Sequence, residues 1–248
     1  MTGVLVALAL VALAVALSHV LALGLERELA ITAVRAIVQL TVVGALVTAV
    51  FEHAGLAAGF VALMFAAAAF TSSRRLRGIA RPLLPAAAAI ALGAVTGLAP
   101  LLASGAFDTT PRELIPIAGI LIGGAMAAAS LTGRRLLDDF DASTALIETR
   151  LALGAPVQQA LRPLVRQAAR GGLIPALDQT KNVGLVTLPG TFVGLVLGGA
   201  SPADAARLQL TVLLALLGVE VVAAIACALL VARACEAPGQ RVAALRRD

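Results

Sequence analysis

This sequence predicts an all-α, polytopic helical membrane protein, and three observations predict it. Apolar residues gather into runs of about 20, the length a helix needs to cross a bilayer. Only 13% of the 248 residues are charged and 60% are hydrophobic, whereas soluble domains carry roughly 25% charged residues. The short alternating segments of a membrane β-barrel do not occur.

Seven candidate transmembrane helices follow in order: 4–23, 30–51, 54–70, 84–103, 114–133, 183–199 and 205–232. The first lacks a positively charged leader and is full length, so it reads as a span that stays and not as a cleaved signal. The second and third are joined so closely that they form a tight hairpin. The fourth carries Gly93 and Gly97, and the fifth Gly119 and Gly123. Small residues four apart let helix backbones approach where lipid provides no hydrophobic drive. The sixth carries a longer stripe, Gly190, Gly194 and Gly198. That stripe is assigned to helix packing, within the chain on one reading and at a subunit interface on the other. The seventh holds Glu220 near its middle.

Charge sets the orientation. Net charge is +5, and Lys181 is the sole lysine. The arginines cluster beside spans, which points to topology and not to nucleic acid. Residues 71–82 carry Arg74, Arg75, Arg77 and Arg81. Residues 134–182 carry Arg134, Arg135, Arg150, Arg162, Arg166, Arg170 and Lys181, and the tail carries Arg233, Arg241, Arg246 and Arg247. The connections near 52–53, 104–113 and 200–206 hold one arginine, Arg112. By the positive-inside rule the N-terminus lies outside and the C-terminus in the cytoplasm of a cell with a cytoplasmic (inner) membrane. Trp and Tyr are absent, so the usual interfacial aromatic belts are missing. No extramembrane segment suffices for a second domain, so residues 1–248 read as one transmembrane domain with a cytoplasmic loop at about 134–182.

That loop has internal order. Residues 142–153 predict a short helix, with Asp141, Ser143 or Thr144 as N-cap candidates. Gly154 stands where a helix C-terminus favours glycine, and Pro156 suits the first turn of a second helix. The second helix runs to about Arg170. Ala160, Leu161, Leu164, Val165 and Ala168 share one stripe; Arg162, Arg166 and Arg170 share another. Such a helix is expected to lie at the membrane surface, kinked by Pro163.

Several chemistries are missing. The lysine follows threonine and not glycine, so no GxxxxGK[ST] phosphate loop exists. HExxH and GxSxG are absent, and the histidines are His19 and His53 only. No catalytic residues and no metal-ligand set are assigned. Glu52 and His53 at an outer turn are a weak metal signal. Cys227 and Cys235 suggest neither a disulfide framework nor a zinc site.

Ionisable residues inside spans are costly and mark candidate pathway positions. Arg35 and Gln39 share a face of the second span, with Arg35 about 8 Å from its start. Asp178 and Lys181 stand three apart at the entrance to the sixth span, where a local ion pair is the plain expectation. Glu220 is the costliest, and is either a cation or proton site or a hydrogen-bonded structural carboxyl.

The elbow at 148–172 resembles the cytoplasmic EAA loop of ABC-transporter permeases. Glu148, Gly154-Ala155, Gln159-Ala160, Arg162, Arg170 and Gly172 match it, while Thr149-Arg150 and Arg166-Gln167 depart from it. "RAIVQL" (35–40), "IPIAGILIGGAM" (115–126) and "LIPALDQTKNVGLVTLPGTFVGLVLGGASP" (173–202) resemble the FetB-like (YbbM-like) permease family. Gly124 stands where that family's pattern has asparagine.

The resemblance implies a membrane permease exporting a metal ion such as iron, with plant relatives in aluminium tolerance. It implies pairing as a homodimer with a separate cytoplasmic ATPase that holds ATP and magnesium; this chain needs no cofactor of its own. Glu148, Arg150, Gly154, Ala155 and Arg162 would then receive the ATPase, with membrane lipid as the remaining partner. An importer-type permease and a non-transporting membrane scaffold are the alternatives.

Overall fold

The structure, a computed structural model, describes residues 2–237 and 241–242. Arg246 and Arg247 of the basic tail lie outside these, as do the side chains of Arg241 and Glu52. The order is α1 (Thr2–Val20), α2 (Glu26–Glu52), α3 (Ala54–Arg75), α4 (Leu83–Ala103), α5 (Pro111–Ala142), α6 (Thr144–Ala152), α7 (Val157–Gly172), α8 (Ile174–Asn182), α9 (Gly190–Leu197) and α10 (Pro202–Ala234). Two-residue strands, Glu236–Ala237 and Arg241–Val242, pair antiparallel after α10. The protein is a polytopic helical membrane protein in which α1 to α5 and α10 are long and apolar enough to cross a bilayer.

The chain forms two compact units, residues 1–56 and 57–248. In the first, α1 and α2 pack as a hairpin. Ser18 closes it: its hydroxyl donates to Glu26 Oε1 and accepts from the Leu25 amide, each at 3.1 Å. Ala22 and Gly24 supply the positive φ angles of the turn. Apolar residues cover the exposed faces of both helices, a surface suited to lipid and not to water.

In the second unit α4, α5 and α10 form the core. Glycine permits their contact. A Cβ at Gly93 would stand 2.9 Å from both Ala223 Cβ and the Val219 carbonyl, and one at Gly97 would collide with Val219. Gly133 similarly admits Leu76 and Cys227, whose thiol donates to the Ala129 carbonyl at 3.1 Å. Gly119 meets Met64. A Gly93→Val substitution is therefore expected to destabilise by about 1–3 kcal/mol, read as a lowered unfolding temperature in detergent. An unchanged midpoint would refute this packing.

Capping explains where the long helices begin. Thr110 and Pro111 start α5, with Glu113 Oε2 accepting from the Asp108 amide at 2.8 Å. At α10, the Ser201 hydroxyl accepts from the Asp204 amide at 3.1 Å and donates to Asp204 Oδ2 at 2.6 Å.

The expected sixth span is corrected. Residues 183–199 hold only the eight-residue α9, preceded by irregular chain. Eight residues span about 12 Å of a hydrocarbon core about 30 Å thick. Gly184, at φ +84, and Pro189, at the α9 N-cap, interrupt the apolar run. The chain still runs between the two ends of this unit. Gly172 lies against Thr132, while Thr191 and Gly194 share a cavity with Pro116 and Ile120. Those two levels on α5 are about 24 Å apart. The chain thus returns along α10 as α8, a break and α9, and α10 starts beside the start of α5.

Candidate functional site

The elbow forms as a helix, a glycine turn and a helix. Gly154 has φ +86, the left-handed conformation predicted for the end of the first helix. Pro156 caps α7 instead of sitting within its first turn, and no N-cap side chain bonds at α6. Across the turn, Arg150 Nη1 donates to the Ala160 carbonyl at 3.0 Å. Arg150, Arg162, Arg166 and Arg170 line a groove of about 920 Å³ with Ala155 and Gln159. Glu148 is exposed on α6.

The expectation that α7 lies on the membrane surface is corrected. Its apolar stripe, Val157, Ala160, Leu161, Leu164 and Ala168, is buried against α5 and α10. The stripe finds protein because the far end of α7 is locked to α5. A Cβ on Gly172 would stand 2.9 Å from Thr132 Cα, and one on Gly171 would strike the Arg135 guanidinium. The basic stripe is left facing outward, and α8 follows directly from the locked end.

At the other end of the second unit is a cavity of about 640 Å³. Phe107, Ile117, Leu195 and Val212 form its apolar wall, and Asp108, Arg112, Glu113, Thr191 and Gln209 its polar one. The Thr191 hydroxyl donates to Gln209 Oε1, tying α9 to α10. Sequence reasoning missed this site. Thr191 and Gln209, polar residues within apolar runs, were the available signal.

Glu220 is buried, 8% exposed, in the α5–α10 contact. Its Oε1 would stand 3.2 Å from a Cβ at Gly124. It makes no hydrogen bond or ion pair among the described residues. Asp178 and Lys181 are exposed on α8 and form no ion pair with each other or with any described residue, so the expected local pair is corrected. Arg35 and Gln39 are exposed in the first unit. Because α2 begins at Glu26, Arg35 lies about 14 Å along the helix, deeper than the expected 8 Å. Among the described residues no three His, Cys, Asp or Glu side chains converge as a metal site.

The profile of UPF0014, described as an uncharacterised protein family, matches residues 1–235. The chain belongs to the UPF0014 family. This UPF0014 chain is 39% identical over 221 residues to the UPF0014 membrane protein STAR2 of Oryza sativa subsp. japonica, covering 88% of this chain and 78% of that one. It is 38% identical over 221 residues to the protein ALUMINUM SENSITIVE 3 of Arabidopsis thaliana, covering 88% and 81%. It is 37% identical over 213 residues to the probable iron export permease protein FetB of Escherichia coli (strain K12), covering 85% and 82%. The resemblance drawn from residues 35–40, 115–126 and 173–202 is borne out. No solved structure matches this chain.

One titration in this UPF0014 chain has a direct consequence. Burial, and then the neighbouring Glu236 carboxylate, push the Cys235 thiol up to about 11. Thiolate is the reactive form, so it is scarce at neutral pH and increases as pH rises toward 11. Alkylation of Cys235 in the folded protein should be slow at pH 7 and accelerate steeply above pH 9. Fast labelling at pH 7 would contradict the buried placement.

Proposed function

We propose that this chain is the membrane-spanning permease subunit of an ABC transporter, exporting a metal ion such as iron. It works as a homodimer with a separate cytoplasmic ATPase subunit. The observation that carries the reading is the elbow, whose exposed face bears Glu148 and four arginines while its oily face grips α5 and α10. A partner that moves the elbow also moves the core helices, and the Gly172–Thr132 contact passes the motion into the broken passage. The missing phosphate loop calls for ATP to be bound elsewhere, and the likeness to FetB supplies the cargo.

Orientation follows the arginines. The elbow, Arg134 and Arg135 are cytoplasmic, and the cavity at Phe107 and Thr191 opens outside. The broken passage keeps the count of crossings odd, so the N-terminus is outside and the C-terminus inside. The deciding experiment reconstitutes the chain with its candidate ATPase in liposomes and measures ATPase stimulation by ferrous iron. Stimulation that depends on both chains supports the proposal. Failure of the two chains to co-purify, together with unaltered ATPase activity, defeats it.

A further inference from the structure

We propose that two copies of this chain meet along residues 178–198, and that the carbonyls of the break in the passage line a wet seam between them. The inference deepens the permease reading, resting on it for there being two copies. The choice of surface rests on three separate observations.

The first concerns backbone. The amides of Leu185, Val186 and Thr187 all converge on the Asn182 carbonyl, and that of Gly184 bonds the Thr187 carbonyl. The carbonyls of residues 183–186 accept no hydrogen bond among the described residues. Irregular backbone at membrane depth survives only where protein covers it or water reaches it. Yet Leu185 is 89% and Val186 77% exposed. Large apolar side chains beside unpaired carbonyls suit neither bare lipid nor open water. They suit a second protein surface that shields the side chains from lipid and leaves water at the oxygens.

The second concerns small residues. Gly93 and Gly97 are filled by α10, but a Cβ at Gly190 or Gly194 would meet nothing within 4 Å. Within residues 57–248 the α9 stripe therefore has the form of a close-packing face without an occupant. Such a face packs well against another copy of itself.

The third is charge. Asp178 and Lys181, exposed and unpaired in one copy, are complementary across a two-fold axis. A two-fold contact is reciprocal, so Asp178 of each copy meets Lys181 of the other. One neutral pair of opposite charges on the same helix identifies a second copy as the partner better than an unrelated acidic or basic surface does.

The test uses the full chain in membrane vesicles without an ATPase, so its outcome is independent of whether an ATPase binds. Leu185→Cys and Val186→Cys variants are treated with a bifunctional maleimide, with Leu92→Cys on the exposed face of α4 as control. The expected result is a covalent dimer for 185 and 186 and at most a trace for 92. A charged aqueous thiol reagent should label position 185 at least about tenfold faster than position 92. In detergent, Asp178→Lys and Lys181→Asp should each weaken the dimer and together restore it. No dimer at 185 and 186, or equal dimer at 92, overturns the interface. Equal labelling at 185 and 92 overturns the wet seam. Absence of rescue by the charge swap overturns the reciprocal pairing.

Discussion

If the elbow couples an ATPase to metal export as proposed, a Gly154→Val variant should reach the membrane folded, bind that ATPase, and lose at least about tenfold of export, equivalent to about 1.4 kcal/mol of coupling. Gly154 sits at φ +86. An L residue there costs roughly 1–2 kcal/mol, and a β-branched one is a poorer fit still. The strain has one easy outlet. Helix α7 is held by its buried stripe and by Gly172 against Thr132, whereas only Ile147 of α6 is buried. Helix α6 therefore shifts, carrying Glu148 and loosening the bond from Arg150 to the Ala160 carbonyl. The core stays intact, so the unfolding midpoint should fall by only a few degrees while transport collapses. Assaying metal uptake into inverted vesicles alongside the midpoint separates the two effects. Wild-type uptake by Gly154→Val would remove the elbow from the transport cycle.

The elbow was legible because its signals are local. Gly154, Pro156 and arginines at four-residue spacing fix a turn and a face without reference to the rest of the chain. What that face would touch was not legible. An amphipathic helix beside spans has the same sequence whether its apolar stripe meets lipid or α5. The clue lay in Gly171-Gly172, whose lack of side chains permits the approach of Arg135 and Thr132, but a glycine pair reads equally as a loop.

The missed break follows from a different physical fact. Hydropathy averages side chains and is indifferent to whether the backbone beneath them is helical. Residues 183–199 are apolar enough for a span, and Leu185, Val186 and Leu188 supported that reading. Gly184 and Pro189 gave the contrary signal, since both disfavour an uninterrupted helix interior. The depth of Arg35 went astray for a related reason: charged Glu26, Arg27 and Glu28 begin the helix itself, so the apolar run starts after the helix does. By contrast, the small-residue pairs in α4 were readable in kind but not in partner. That Gly93 and Gly97 receive α10 whereas Gly190 and Gly194 stand open depends on tertiary register alone.

The second large effect is expected at Glu220. If Glu220 serves the proposed metal export, a Glu220→Gln variant should unfold at the same temperature as the wild type or higher, yet lose most of that export. An ionisable side chain at the centre of a span costs about 2.5–3.5 kcal/mol on insertion scales. Here no hydrogen bond or ion pair among the described residues offsets that cost. Glutamine has nearly the same volume and no charge, so the packing around Gly124 and Leu216 persists while the desolvated carboxyl is gone. A residue kept only for packing would make this exchange harmless to transport. Gly124→Ala provides the complementary test. Its Cβ would stand 3.2 Å from Oε1 and 3.3 Å from Cγ of Glu220 and would collide with Leu216, displacing the side chain without altering its chemistry. If position and charge both matter, each variant loses export, and only Gly124→Ala also loses stability. Full export by Glu220→Gln alongside loss in Gly124→Ala would reduce Glu220 to a filler of the α5–α10 contact.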